Sequence, residues 1–126
     1  MSDSSAYDTI LPAGTVITAS GQTGPLTLAT DADPTTLDVV IDITAVSGTT
    51  PSITFKVERD ADADPAAYPP ATWTAGTSSA ALTAPGRTVV SAPAAFGSRD
   101  TNPPYYRLVW TVTGTTPSFT LGAYGE

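Results

Sequence analysis

The chain contains no cysteine and no histidine. The first absence excludes disulfides, thiol catalysis and zinc–thiolate sites. The second removes the commonest general base and transition-metal ligand. Charge is also scarce: Asp, Glu, Lys and Arg make up 13% of 126 residues, about half of ordinary usage. The five basic residues, Lys56, Arg59, Arg87, Arg99 and Arg107, are scattered along a chain of net charge −7. A phosphate-binding surface needs them clustered, so neither nucleic acid nor an anionic membrane is an expected partner. No apolar run approaches the length of a membrane-spanning helix. The opening "MSDSSAYDTILPAG" lacks a basic region followed by an apolar run, so no secretory signal is expected there.

Thr, Ser, Ala, 12 Pro and 10 Gly fill the space that charge leaves. Small and β-branched residues with frequent breakers suit short strands and turns, and suit long helices badly. The length is that of one domain with a real core.

Alternation is the main pattern. Over "LDVVIDITAV", Leu37, Val39, Ile41, Ile43 and Ala45 alternate with Asp38, Val40, Asp42, Thr44 and Val46, which predicts a half-buried strand. "SGTTP" interrupts it with turn residues, and Ile53, Phe55 and Val57 then resume one face. The second such region is "YYRLVWTVTGTTPSFTLGAYG", with Tyr106, Leu108, Trp110 and Val112 before the interruption and Phe119, Leu121 and Ala123 after it. "GTTPS" stands in both, 66 residues apart. Alternating runs around a short Gly/Pro segment predict two similar β-hairpins, with positive φ at Gly48 and Gly114. Residues 14–20 and 24–30 around "GQTG", and 78–84 and 86–92 around "PG", predict two more.

The expected fold is therefore all-β: a single antiparallel β-sandwich of jelly-roll or immunoglobulin-like type, with about eight strands. Residues 1–13 are expected to form an N-terminal arm and 14–126 the sandwich. The stretches 60–73 and 92–106 are Pro-rich and read as long loops, a class often functional. Tyr7, Ile10 and Leu11 on the arm, with Tyr68, Trp73, Phe96 and Tyr105 in or beside the loops, are the candidate partner-contact residues.

Chemistry is harder to find. Asp60, Asp62 and Asp64 alternate as at the start of an EF-hand loop, but Pro65 and Ala71 stand where Gly and Glu are required. A simpler calcium site or a solvated acidic loop is left. Asp38 and Asp42 share a strand face but lie about 13 Å apart, too far for a glycosidase pair. No G-x-S-x-G elbow is present. Trp110 lies in the inward alternation and is expected in the core. Trp73 follows a Pro-rich loop and could cap a sheet edge or meet a partner. No catalytic, cofactor or metal residue is assigned.

The order of these features resembles a group of small virion proteins of tailed bacteriophages of high-GC actinobacteria. The matching parts are "LDVVIDITAVSGTTPSITFKVERD", Trp73, and a last segment of the form R-x-x-W-x-x-x-G-x-x-P-S on Arg107, Trp110, Gly114, Pro117 and Ser118. The resemblance spans about half the chain and rests on scaffold motifs. It implies a non-enzymatic structural protein, with capsid decoration on the outer surface of the head the favoured role. The implied partners are the major capsid protein and further copies of the chain, as a homo-oligomer such as a trimer. The implied location is the virion, after synthesis in the host cytoplasm. The alternative is a tail-associated or carbohydrate-binding adhesion module, which would use exposed aromatics such as Tyr68 and Trp73.

Overall fold

In the computed structural model, the residues described are 8–24, 38–60, 73–91 and 106–125. Among them every regular element is a strand, and all pairing is antiparallel. The strands are β1 (Asp8–Ile17), β2 (Gly21–Gln22), β3 (Asp38–Asp60), β4 (Trp73–Ala75), β5 (Gly86–Ser91) and β6 (Tyr106–Gly125). The all-β expectation holds. The expected strand arrangement does not.

Each "GTTP" segment lies inside one long strand and is not a hairpin turn. β3 runs for 23 residues and β6 for 20. They pair with each other along nearly their whole length, from Val39 opposite Gly125 to Arg59 opposite Tyr106. The two interruptions meet at the centre, where Thr49 stands opposite Thr115. Both glycines have positive φ, 114° at Gly48 and 119° at Gly114. Thr50 and Thr116 also have positive φ, at 47° and 46°.

The insertion changes the facing of each strand. Val46 and Ile53 are seven residues apart, as are Val112 and Phe119. An undisturbed strand would turn such residues to opposite faces. Here Ile53 and Phe119 are fully buried, and Val46 and Val112 pack against the same core. Each interruption thus shifts the inward register by one, as a bulge does.

The pairing is also symmetric. Val46 faces Phe119, and Ile53 faces Val112. Replacing each residue by its counterpart 66 positions away turns the first pair into the second. Thr49 opposite Thr115 maps onto itself. A local pseudo-two-fold axis therefore passes through the crossing of the two long strands.

The flanking segments obey the same symmetry. Residues 8–23 run beside β6: β1 pairs with its C-terminal half, Gly21 lies opposite Trp110, and Thr23 donates its N–H to the Leu108 carbonyl. Residues 73–91 run beside β3: β4 pairs with its C-terminal end, Leu82 bridges to Ile53, and β5 pairs with its N-terminal half. Ile17 faces Phe119 as Leu82 faces Ile53. The sequences agree, "ITASGQT" at 17–23 against "LTAPGRT" at 82–88. The chain is built from two like units, 8–60 and 73–125, each a flanking segment followed by a long kinked strand.

This arrangement corrects the two smaller predicted hairpins. Residues 78–82 and 86–91 do not fold back on each other; both lie along β3. Residues 14–22 likewise continue along β6, and most of 24–30 lies outside the described residues. The predicted arm is corrected in part: residues 8–13 belong to β1, with Ile10 and Leu11 packed against the core.

One hydrophobic cluster draws on both halves of both long strands. Val39, Ile41, Ile43, Ile53, Phe55 and Val57 come from β3, and Tyr106, Leu108, Phe119, Leu121 and Ala123 from β6. Ile17 and Val90 complete it. Trp110 is half-buried at its margin. Its indole lies over Gly21 and donates from Nε1 to the Ala19 carbonyl at 3.1 Å.

Hydroxyl side chains complete the ladder where the flanking segments are irregular. The Phe55 N–H donates to Ser79 Oγ at 3.0 Å, Leu108 to Thr23 Oγ1 at 3.0 Å, and Val112 to Ser20 Oγ at 2.8 Å. Part of the Ser/Thr richness thus satisfies backbone donors that would otherwise be orphaned.

Candidate functional site

The three described candidate contact residues, Ile10, Leu11 and Trp73, are not gathered in one place. Ile10 and Leu11 lie on β1, at one edge of the sheet, and serve the core. Trp73 lies on β4, at the opposite edge. Tyr7, Tyr68, Phe96 and Tyr105 lie outside the described residues, as do Asp62 and Asp64 of the acidic loop. Among the described residues no group of three or more carboxylates is placed to hold a metal ion.

Trp73 belongs instead to a polar cluster on the outer face of three neighbouring strands. Glu58 on β3 stands directly opposite Arg107 on β6 and opposite Ala75 on β4. The Arg107 guanidinium donates to Glu58 Oε1 from both Nε and a terminal nitrogen, each at 2.6 Å. The Lys56 ammonium approaches the other carboxylate oxygen at 3.4 Å. The guanidinium also lies over the Trp73 ring, 4.3 Å from its centroid. Arg107 therefore spans β3, gripping its carboxylate and covering the aromatic ring of the next strand.

The Glu58 side chain is only 11% exposed and that of Arg107 21%. Charge-assisted bonds this short, partly shielded from water, are among the stronger polar contacts a sheet can make. A three-residue strand such as β4 offers few ladder bonds of its own. The cation–π contact adds a further tie to the sheet, of order 0.5–2 kcal/mol. The cluster thus reads as a brace that fixes the β4 edge.

Sequence inspection did not reveal this cluster, because Arg107, Glu58 and Trp73 are far apart in the chain. The cross-strand register brings them together. Glu58 stands in the charged run "KVERD", where nothing in the sequence sets it apart from Lys56, Arg59 and Asp60.

The other outer-face region lies at the N-terminal half of β3. Asp38, Val40 and Asp42 stand opposite Ser91, Val89 and Arg87 of β5. Ser91 Oγ donates to Asp38 Oδ1 at 2.7 Å. On the other side Val40 faces Tyr124, whose phenol lies over Gly122, where a Cβ would come within 2.7 Å of the hydroxyl. Asp38 is thus hydrogen-bonded to its cross-strand neighbour, and Asp42 stands opposite Arg87 in the register.

Comparison of the chain with protein-family models, with curated proteins and with solved structures returns no match.

Proposed function

We propose that the protein is a non-enzymatic capsid decoration protein of a tailed bacteriophage, bound to the outside of the assembled head through the major capsid protein. The resemblance of the "GTTPS" segments and of Arg107, Trp110, Gly114, Pro117 and Ser118 to such virion proteins carries this reading. In this fold those residues are scaffold. Gly114 and Pro117 form the strand crossing, Trp110 closes the core margin, and Arg107 braces an edge. The likeness is therefore one of architecture, which suits a protein whose task is to be a durable surface module.

On this reading the two halves of the kinked sheet face each other as layers of a β-sandwich, with the crossings as its corner, a known way for strands to pass between layers. The contacts with the shell come from the N-terminal segment and the long loops, through Tyr7, Tyr68, Phe96 and Tyr105. The copies act as a homo-oligomer, a trimer by the resemblance, so that several small contacts add through effective concentration. The net charge of −7 keeps free protein soluble and steers it to basic patches on the shell.

The adhesion reading needs an open aromatic platform. Trp73 is the described candidate, and one face of its ring is taken by Arg107, which favours the decoration reading. Co-sedimentation of purified protein with mature heads tests it. Saturable binding to heads and no signal on a glycan array is the expected result. Glycan binding without head binding would replace decoration with adhesion.

A further inference from the structure

The two outer edges of the sheet at the N-terminal half of β3 differ. On one side β1 carries Pro12, irregular register and a positive-φ Gly14. These are devices that blunt an edge against further pairing. On the other side β5 has its positive-φ glycine, Gly86, only at its first position, after Pro85, and none of these devices within residues 87–91. Its six residues pair with β3 in unbroken register from Asp38–Ser91 to Ile43–Gly86. Among the described residues β5 pairs only with β3. Its central outward residue, Val89, is 52% exposed, one of two large apolar side chains so open among the described residues.

We propose that β5 pairs edge to edge with β5 of a second copy of this chain, antiparallel, about a two-fold axis at Val89. An antiparallel two-fold stands normal to the sheet and keeps each face on its own side. Opposite residues must then share a face. Centring on Val89 sets Val89 against its own copy and Arg87 against Ser91.

The outer-face rows become complementary in this register. One row reads Asp38, Ser91, then Arg87 and Asp42 of the second copy, and its symmetry mate reads the reverse. Each Arg87 sits between an acid of its own chain and, two strands away, an acid of the other. The middle row is apolar: Tyr124, Val40 and Val89, then the same three reversed. The exposed valines are buried at the axis, and charges of opposite sign flank them. Shifting the centre to Thr88 would instead set Arg87 against Val89 and lose this match.

A contact of one short strand is small, so the dimer is weak in solution and strengthened where copies are held close. It does not rest on the head-binding reading, and it is distinct from any three-fold contact.

The absence of native cysteine makes the test clean. Opposite residues of an antiparallel pair have Cα atoms about 4.5–5.5 Å apart, within disulfide reach. V89C should therefore crosslink to a covalent dimer under copper–phenanthroline, about tenfold or more faster than V16C, an equally exposed control on the β1 edge. R87C alone and S91C alone should crosslink as slowly as the control, and their mixture should form the mixed dimer. If V89C crosslinks no faster than V16C, the edge does not self-pair. If R87C alone matches V89C, or the R87C and S91C mixture stays monomeric, the proposed register is wrong.

Discussion

At the residue scale, the glycines of the crossing are the most constrained positions. A Cβ on Gly48 would lie 2.7 Å from the Thr116 carbonyl oxygen and 2.9 Å from the Pro117 Cα. On Gly114 it would lie 2.8 Å from the Thr50 oxygen and 2.9 Å from the Pro51 Cα. These neighbours are backbone in the partner strand and cannot swing aside. Gly14 has φ of 90° but open space around its missing side chain. Gly14→Ala should therefore cost only the left-handed conformation, about 1–2 kcal/mol. Gly48→Ala and Gly114→Ala should each cost more, with the clash raising the total to about 3 kcal/mol or above. Denaturant titration checks the order. Equal losses at all three positions would mean that the strands do not approach so closely.

Arg107 is the second residue-scale case. Truncation to Ala leaves the Glu58 carboxylate shielded from water with Lys56 the one cation paired with it among the described residues. It also uncovers Trp73. The expected loss is about 2–4 kcal/mol, the scale for breaking a shielded pair from one side. Arg107→Lys keeps the charge but loses the fork and the flat cover, and should recover only part of it. Urea melts followed by tryptophan fluorescence report both stability and the Trp73 environment. A full rescue by Lys would reduce the brace to simple charge pairing.

At the element scale, the hydrophobic alternation was legible and the connections were not. Of the fourteen residues that alternation places inside β3 and β6, eleven are buried, Trp110 and Val112 are half-buried at the margin, and Ala45 is exposed, because a register shift between Ile43 and Ala45 turns Val46 inward in its place. "SGTTP" was misread because Gly and Pro serve a hairpin turn and an in-strand kink equally well. Only the partner strand distinguishes them, and here the partner is the other "GTTP". In β1 only residues 14–17 are legible as strand, and 8–13 read as an arm because Pro12 and Gly14 break the alternation. Its hydrogen bonds come from the tertiary pairing with β6. The agreement of "ITASGQT" with "LTAPGRT" was in the sequence, but it is too short to stand out before the pairing shows the two in equivalent places. Of the candidate contact residues, Ile10 and Leu11 were apolar for a core reason, and the partners of Trp73 could not be read from spacing at all. Phe55→Ala should cost about 3–5 kcal/mol, as for an aromatic removed from a close-packed core. Ser79→Ala should cost about 1–3 kcal/mol, because the Phe55 N–H loses its acceptor. Thermal melts of the two variants check this, and a Ser79→Ala protein as stable as the parent would mean that water replaces the hydroxyl.

At the scale of the whole molecule, the two-unit construction makes a prediction about connectivity. The first unit ends at Asp60, whose backbone is paired with Trp73 at the start of the second. The intervening residues 61–72 join two neighbouring strand ends. At the equivalent place in the other half, Asp8 is paired with Gly125. The two ends of the described chain therefore meet as the two units do at their junction. Folding of such a molecule should depend on the pairing of β3 with β6 and hardly on which junction carries the covalent link. A circular permutant that starts at residue 73, ends at residue 60, and joins residue 125 to residue 8 through a flexible linker of about a dozen residues should fold to the same sheet. A linker of that length spans the gap at modest entropic cost. Its melting temperature should fall by only a few degrees, and its amide exchange protection should map onto the same strands. Cutting instead within "GTTP", at 49 or at 115, should abolish folding, because that site is the paired centre of both units. A permutant opened at 60–73 that stays unfolded, while one opened at 49 folds, would show that the units are not interchangeable parts.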